Sequence, residues 1–383
     1  MASFQAPTRV IFDQEVGAAV DEILDREGWT RLGVVADAAV TEAPEVAALL
    51  QALEARCARY VLLRRSGPEP DVEDADRAAE ALRGQSLDAI MGIGGGSTLD
   101  LAKAVAVLTT NDGSAARYQG FMLVERPGVP SVLIPTTAGT GSEVTWTAVL
   151  TNRDKAIKAG INSPHLLARY AVLDARLTLG MPKVVMVSTA MDALTHAVES
   201  FTARSATVVS RMVSRQAFEL VYTGFAATLE DGADREARRQ TLLGSTLAGL
   251  AILNAGTGAC HSIAYALGSG FGVPHGTANA LLLPAVMRVN ERRAPGLYAP
   301  LWDVVHPEDR TLSATARSRR LSDDLERLVK AALPSLSLTE FGVGSRDLPA
   351  LAETGLRLRT ALDNNPVEFG TGECRDVLEA ILT

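Results

Sequence analysis

Apolar positions in the first 180 residues come in short unbroken runs, whereas those in the second half recur every three or four residues. RLGVVAD (31–37), RYVLL (59–63), LDAIMGI (87–93) and SVLIPTT (131–137) are runs of strand length, each passing into turn or loop residues. Between them, 44–56 and 73–83 carry apolar residues at helical spacing. Strands apolar on both faces, alternating with helices, predict a parallel, Rossmann-like sheet covered on both sides, an α/β domain. From Ser188 onward the spacing is helical throughout: 188–204, 207–230, 234–253, 258–269, 275–291, 313–333 and 373–382. No convincing strand falls there, and 334–347, rich in Ser, Leu and Gly, reads as a loop. Pro182 and the turn before it mark a boundary, predicting an α/β domain over 1–182 and an all-α helical domain over 183–383.

Composition narrows the class. A chain of 383 residues is long enough for two domains with substantial cores. Its 47% hydrophobic and 21% charged residues are ordinary for a soluble globular protein. A net charge of −8 argues against nucleic acid or an anionic membrane as the main partner. The three cysteines, Cys57, Cys260 and Cys374, are widely spaced and form no CxxC, which disfavours a disulfide framework or a thiolate zinc site. The N-terminal MASFQAPTRVIF lacks the pattern of a signal peptide, and no apolar run approaches the roughly 20 residues that span a bilayer. The expectation is a soluble, cytoplasmic protein.

Two glycine-bearing loops carry candidate chemistry. GIGGGSTLDLAKAVA (92–106) follows a strand and opens a helix. Gly94, Gly95 and Gly96 permit close backbone approach to a ligand. Ser97 and the amides of the helix start can hold a pyrophosphate. Asp100 and Lys103 follow on the first turn, Lys103 reaching a ligand or pairing with an acid. The same run serves equally as a tight turn packed against its neighbours. It is neither a Walker loop, since GKS/T is missing, nor a standard dinucleotide fingerprint, since Ser97 holds the third glycine position. Asp37, ending VVAD, can accept hydrogen bonds from an adenosine ribose and repel a 2′-phosphate; as a strand-end turn residue it needs no ligand, and spacing favours neither reading. The second loop, PTTAGTGSEVT (135–145), supplies Thr136, Thr137, Thr140 and Ser142 at what should be the same carboxyl edge of the sheet.

Five histidines occur in the chain: His165, His196, His261, His275 and His306. In MDALTHAVE (191–199), Asp192 and His196 are four residues apart and share one helical face. His261 and His275 lie in GTGACHSIAYALGSGFGVPHGTANALLLP (256–284). One carboxylate and three imidazoles make a divalent-metal set that leaves a position open for substrate. Each alone reads as well as a satisfied core or capping group.

GGGSTLDLAKA, PTTAGTGSEVT, DALTHAVES and HSIAYALGSGFGVPHGTANALLLP, in this order, resemble the iron-containing (group III) alcohol dehydrogenase family over essentially residues 1 to 290. The resemblance implies a dehydroquinate synthase-like fold, with a dinucleotide-binding α/β domain, a helical metal-binding domain and the site in the cleft between. It assigns Asp192, His196, His261 and His275 as metal ligands. It places Gly94 to Ser97 at the pyrophosphate, and Thr136, Thr137, Thr140 and Ser142 around the cofactor phosphates and nicotinamide. It also places Asp37 where NAD is favoured over NADP, and Lys158, in KAIKAGI, near the cofactor. Iron(II) is the implied metal, though the donor set suits zinc as well.

One departure concerns a further histidine that many members carry four residues after the third ligand, where this chain has Tyr265. A phenol, ordinarily titrating near pH 10, is a poorer proton relay than an imidazole. Tyr265 is therefore expected to shape the substrate pocket, with the proton leaving through water and ribose hydroxyls. The implied function is reversible hydride transfer between NAD and a small alcohol or aldehyde, by a homodimer. Two other readings remain: a same-fold relative, either a zinc-dependent glycerol-type dehydrogenase or a dehydroquinate synthase-like lyase, and a nucleotide-binding regulator without catalysis. Trp146 serves equally as a substrate contact or a buried structural residue, while His165 and His306 are expected to have no catalytic part.

Overall fold

The structure, a computed structural model, describes residues 3–382 apart from 68 and 156. The chain forms two compact units, Ala6–Met181 and Pro182–Thr383, the second joined by Met1–Gln5. Hydrogen bonds of 2.6 and 2.9 Å between the Gln5 backbone and the Asn254 side chain tie that leading stretch to the helical unit.

The first unit runs β1 (Arg9–Phe12), α1 (Val16–Glu27), β2 (Arg31–Asp37), α2 (Pro44–Arg56), β3 (Arg59–Arg65), α3 (Val72–Leu82), β4 (Ala89–Gly94) and α4 (Gly96–Leu108). It continues through β5 (Gly120–Phe121), β6 (Ser131–Pro135), β7 (Thr147–Asn152), β8 (Ile157–Asn162) and β9 (Tyr170–Leu173). Six strands make a wholly parallel sheet in the order β1-β9-β6-β4-β2-β3, and β5-β8-β7 make a small second sheet. Alternation sends Leu32, Val34 and Ala36 of β2 into a core with Val20, Leu24, Leu50 and Leu53 of α1 and α2. Val35 faces the other way, into a core with Ala75 and Leu82 of α3 and Leu99, Ala102 and Val105 of α4. Both faces are therefore dry, which is why these strands read as unbroken apolar runs.

The second unit is helical: α5 (Lys183–Thr202), α6 (Val208–Glu230), α7 (Arg235–Ala255), α8 (Ala259–Phe271), α9 (His275–Arg293), α10 (Ala299–Val305), α11 (Ala314–Ala332), α12 (Leu348–Gly355), α13 (Arg359–Asn364) and α14 (Thr371–Ala380). No strand lies in it among the described residues. Close approach of helices is bought by glycine: a Cβ on Gly276 would stand 2.5 Å from the Ser188 carbonyl of α5, so only glycine lets the first turn of α9 reach that helix. Among the described residues no single helix is long and apolar enough to cross a membrane.

Some elements depart from the sequence pattern. β1, β5, β7, β8 and β9 are two to six residues long, and most contain polar or small residues that blur alternation. Helix α5 begins at Lys183 rather than Ser188, because Pro182 serves as its N-cap. The stretch 334–347 holds a short 3₁₀ turn at Leu338–Phe341.

Candidate functional site

In the α/β unit, β2 has β3 on one side and β4 on the other. Strand order therefore reverses between β2 and β4, where ligands bind open α/β sheets. Asp37 ends β2 and Gly94 ends β4, beside each other. Gly94 has φ of +156°, and a Cβ there would meet Thr98 at 2.7 Å and Asp37 at 3.0 Å. Thr98 Oγ1 donates to Asp37 Oδ2 (3.4 Å), the Ala39 amide donates to Oδ1 (3.0 Å), and Arg65 Nη1 stands 4.0 Å from Oδ2. A Cβ on Gly96 would stand 2.5 Å from Thr140, and one on Gly95 would stand 3.3 Å from Thr137. The Thr136 amide donates to the Gly94 carbonyl at 2.9 Å. The two loops thus pack as one surface, and the glycines serve that packing. Gly95 caps α4 without a side-chain hydrogen bond, leaving the helix start without a capping side chain. Ser97 lies on that first turn, half-buried.

Asp100 and Lys103 look inward. Asp100 accepts from Ser142 Oγ at 2.5 Å and from the Val149 amide at 2.9 Å. Lys103 is fully buried; its ammonium donates to the carbonyls of Ser142 (2.9 Å) and Thr147 and pairs with Asp100 at 3.1 Å. Burial lowers the Lys103 pKa, opposed by the charges of Asp100 and Glu143. These two residues clamp the second loop to α4. Lys158, on β8, is paired with Glu69 at 2.6 Å. Trp146 is half-buried just before β7.

In the helical unit three elements bring donors to one point. Asp192 comes from the middle of α5, His261 from the first turn of α8 and His275 from the first residue of α9. One donor atom from each lies within 4.8 Å of the others. From Asp192 Oδ1, Nε2 of His275, His261 and His196 stand at 3.6, 3.8 and 3.9 Å. The His196 ring stacks on His261, centroids 4.8 Å apart. Burial pushes the Asp192 carboxyl upward, but the neighbouring imidazoles of His196, His275 and His261, with the Asn279 amide, outweigh it and hold it below the ordinary range. Burial lowers His261, while Glu199 and Asp192 more than reverse this and raise it. A carboxylate and imidazoles with their Nε2 atoms turned to one oxygen fit a divalent metal.

Tyr265, half-buried on α8, meets His275 edge to face with centroids 6.1 Å apart. His165 is exposed in a 3₁₀ turn. His306 stacks on Trp302 and contacts Tyr222 and Glu308. Two buried residues at the cluster escape sequence reasoning: Glu199, 2.6 Å from His261 Nδ1, and Asn279, which donates to Asp192 Oδ1 at 2.6 Å. The signal was helical spacing. Glu199 lies seven residues after Asp192, and Asn279 four after His275, each on the face of its ligand.

Comparison with known proteins follows the same division. The family model described as iron-containing alcohol dehydrogenase matches residues 7–175, and that of the Fe-containing alcohol dehydrogenase family, C-terminal, matches 186–382. The long-chain-alcohol dehydrogenase 1 of Geobacillus thermodenitrificans is 36% identical over 316 residues, 82% of this chain and 80% of that protein. Among solved structures, a 1,3-propanediol oxidoreductase superposes with a TM-score of 0.94 at 28% identity, covering 100% of both chains. The sulfoacetaldehyde reductase of Bifidobacterium kashiwanohense, solved with NAD+, gives 0.88 at 25% identity, covering 100% of this chain and 99% of the other.

Proposed function

Since the chain belongs to the iron-containing alcohol dehydrogenase family, we propose that it works as an NAD(H)-dependent alcohol dehydrogenase or aldehyde reductase through the residues described above. The observation that carries this reading is the convergence of Asp192, His261 and His275 from three helices on one point. With His196 beside them they are the donors for iron(II), and zinc would meet the same set. When bound, NAD(H) would supply the hydride chemistry, and a metal held by these donors would supply Lewis acidity.

The chain's own part is to bind and orient. Gly94 to Ser97 offer backbone amides and the start of α4 to a pyrophosphate. Thr136, Thr137, Thr140 and Ser142 line the second loop with hydroxyls, while Asp100 and Lys103 fix that loop. Asp37 accepts from ribose hydroxyls and by its charge disfavours a 2′-phosphate, so NAD is preferred over NADP. Lys158 keeps a subsidiary place near the cofactor. Tyr265 forms a pocket wall against His275. The α/β unit (1–182) is the dinucleotide-binding domain, and the helical unit (183–383) is the metal-binding domain.

The reading extends to a cytoplasmic homodimer. Free Cys57, Cys260 and Cys374 suit a reducing compartment, and β1, at a sheet edge with Phe12 51% exposed, offers a surface for a second copy. The test of the activity is NADH oxidation by the iron-loaded protein over a panel of neutral and anionic short aldehydes. Turnover of at least one class is expected; inertness toward every aldehyde, and toward the matching alcohols with NAD+, would reject the reading.

A further inference from the structure

Glu199 lies behind the donor set and has a separate partner for each carboxylate oxygen. It is buried on α5, one turn past His196. Oε1 accepts from the Cys260 amide at 2.7 Å, and Oε2 stands 2.6 Å from His261 Nδ1. An imidazole nitrogen this close to a carboxylate is the one that carries the proton. His261 Nε2 is then left as a lone pair, on the side of Asp192 Oδ1. The neighbouring amide agrees with that orientation. Asn279, fully buried, donates from Nδ2 to Asp192 Oδ1 at 2.6 Å and lies 3.4 and 3.3 Å from Nε2 of His261 and His275. Its Oδ1 faces the Cys260 thiol at 3.5 Å. Turned over, the amide would set oxygen against carboxylate oxygen.

The backbone is built to admit Glu199. A Cβ on Gly258, the N-cap of α8, would stand 3.0 Å from Glu199 Oε1, so glycine there lets the start of α8 close on the carboxylate. One carboxylate thereby fixes both the first turn of α8, through the Cys260 amide, and the ring that this turn carries.

We propose that Glu199 is a positioning residue for the metal: it holds His261 in the Nδ1–H tautomer and aims Nε2 at the point shared with Asp192 and His275. The proposal rests on the reading of these three as metal donors. Glutamine at 199 would have one oxygen for two N–H donors. Either the Cys260 amide or His261 would then face an amide N–H₂, and a ring that escapes by moving its proton to Nε2 loses its donor atom. Partners of this kind ordinarily change metal affinity by about 10- to 100-fold.

The test uses the full-length protein stripped of metal and titrated with Co2+ against a competing chelator. Wild type, Glu199→Gln, Glu199→Ala and His261→Ala are compared, with the cobalt d–d absorption recorded at saturation. Thermal melts of the metal-free proteins identify the variants that fold. His261→Ala is expected to lose the site. Each folded Glu199 variant is expected to bind Co2+ about 10- to 100-fold more weakly, with a shifted d–d band and unchanged NADH affinity. Wild-type affinity and spectrum in either folded Glu199 variant would overturn the role of Glu199 while leaving the donors in place. Wild-type Co2+ binding by His261→Ala would instead overturn the donor reading itself.

Discussion

At Tyr265 the ring stands edge-on to His275, one helical turn past His261. In the proposed role of pocket wall its ring supplies shape and its hydroxyl relays no proton. Tyr265→Phe should therefore keep kcat within about threefold and leave its pH profile in place, whereas loss of a general acid–base group costs about 10²- to 10⁴-fold. Steady-state kinetics across pH measures this, and a collapse of kcat would make Tyr265 the relay. Single residues differ in how legible they are. Asp192 and His196 are visible because histidine is scarce in this chain and because one family's motifs repeat in order. Glu199 is just as close to the cluster yet reads as a solvated acid on a helix, since the residues that meet its buried carboxylate, Gly258, Cys260 and His261, lie about sixty positions further along the chain. Lys103 was open between ligand and ion pair, and the fold commits it to Asp100 and to carbonyls of the second loop.

At the scale of elements, α4 carries the clamp on which that loop depends. Lys103→Met would leave Asp100 and the carbonyls of Ser142 and Thr147 without their cation. A loss of about 3 kcal/mol in stability is expected, together with weaker NADH binding. Urea unfolding and NADH titration check both, and wild-type NADH affinity would show that the loop stands without Lys103. A second element, α1, starts at Val16 after Glu15, which gives no side-chain cap. Asp174, just past β9, supplies the missing acceptor to the Val16 amide at 2.9 Å and also pairs with Arg176. Burial raises the Asp174 carboxyl, but Arg176 and the amides of Val16 and Arg176 prevail and lower it. A lowered folded value means that this stabilisation is present above the ordinary carboxylate range and is lost as pH falls through the folded value. Asp174→Asn should cost about 2 kcal/mol near neutrality. In denaturant unfolding, that gap should begin to narrow once the pH falls below about 3.9 and close below the folded value; a gap independent of pH would exclude the charge. Elements with strong periodicity were plain from sequence: β2 (Arg31–Asp37) and α2 (Pro44–Arg56) match their apolar patterns end to end. The four-residue β1 and β9 and the six-residue β7 and β8 were not, because short runs, those of β7 and β8 broken by polar or small residues, carry too little pattern to separate strand from loop.

Across the whole molecule, two family models divide the chain much as its texture does, one for the β–α half and one for the helical half. Fold class was legible because parallel strands buried on both faces leave long apolar runs, and the paired loops at the ends of β4 and β6 because those runs pass into glycine and hydroxyl residues. Substrate choice was not legible. It depends on the few side chains that face the substrate, and no motif fixes their chemistry. The central claim is that hydride transfer needs the metal held by Asp192, His196, His261 and His275. Its most direct test is aldehyde-dependent NADH oxidation by metal-stripped and Fe2+-reconstituted protein, wild type beside His275→Ala. The stripped wild type should be inactive and recover with iron, while His275→Ala should bind NADH yet stay inactive in both states. Full turnover by the stripped wild type, or by His275→Ala, would contradict it.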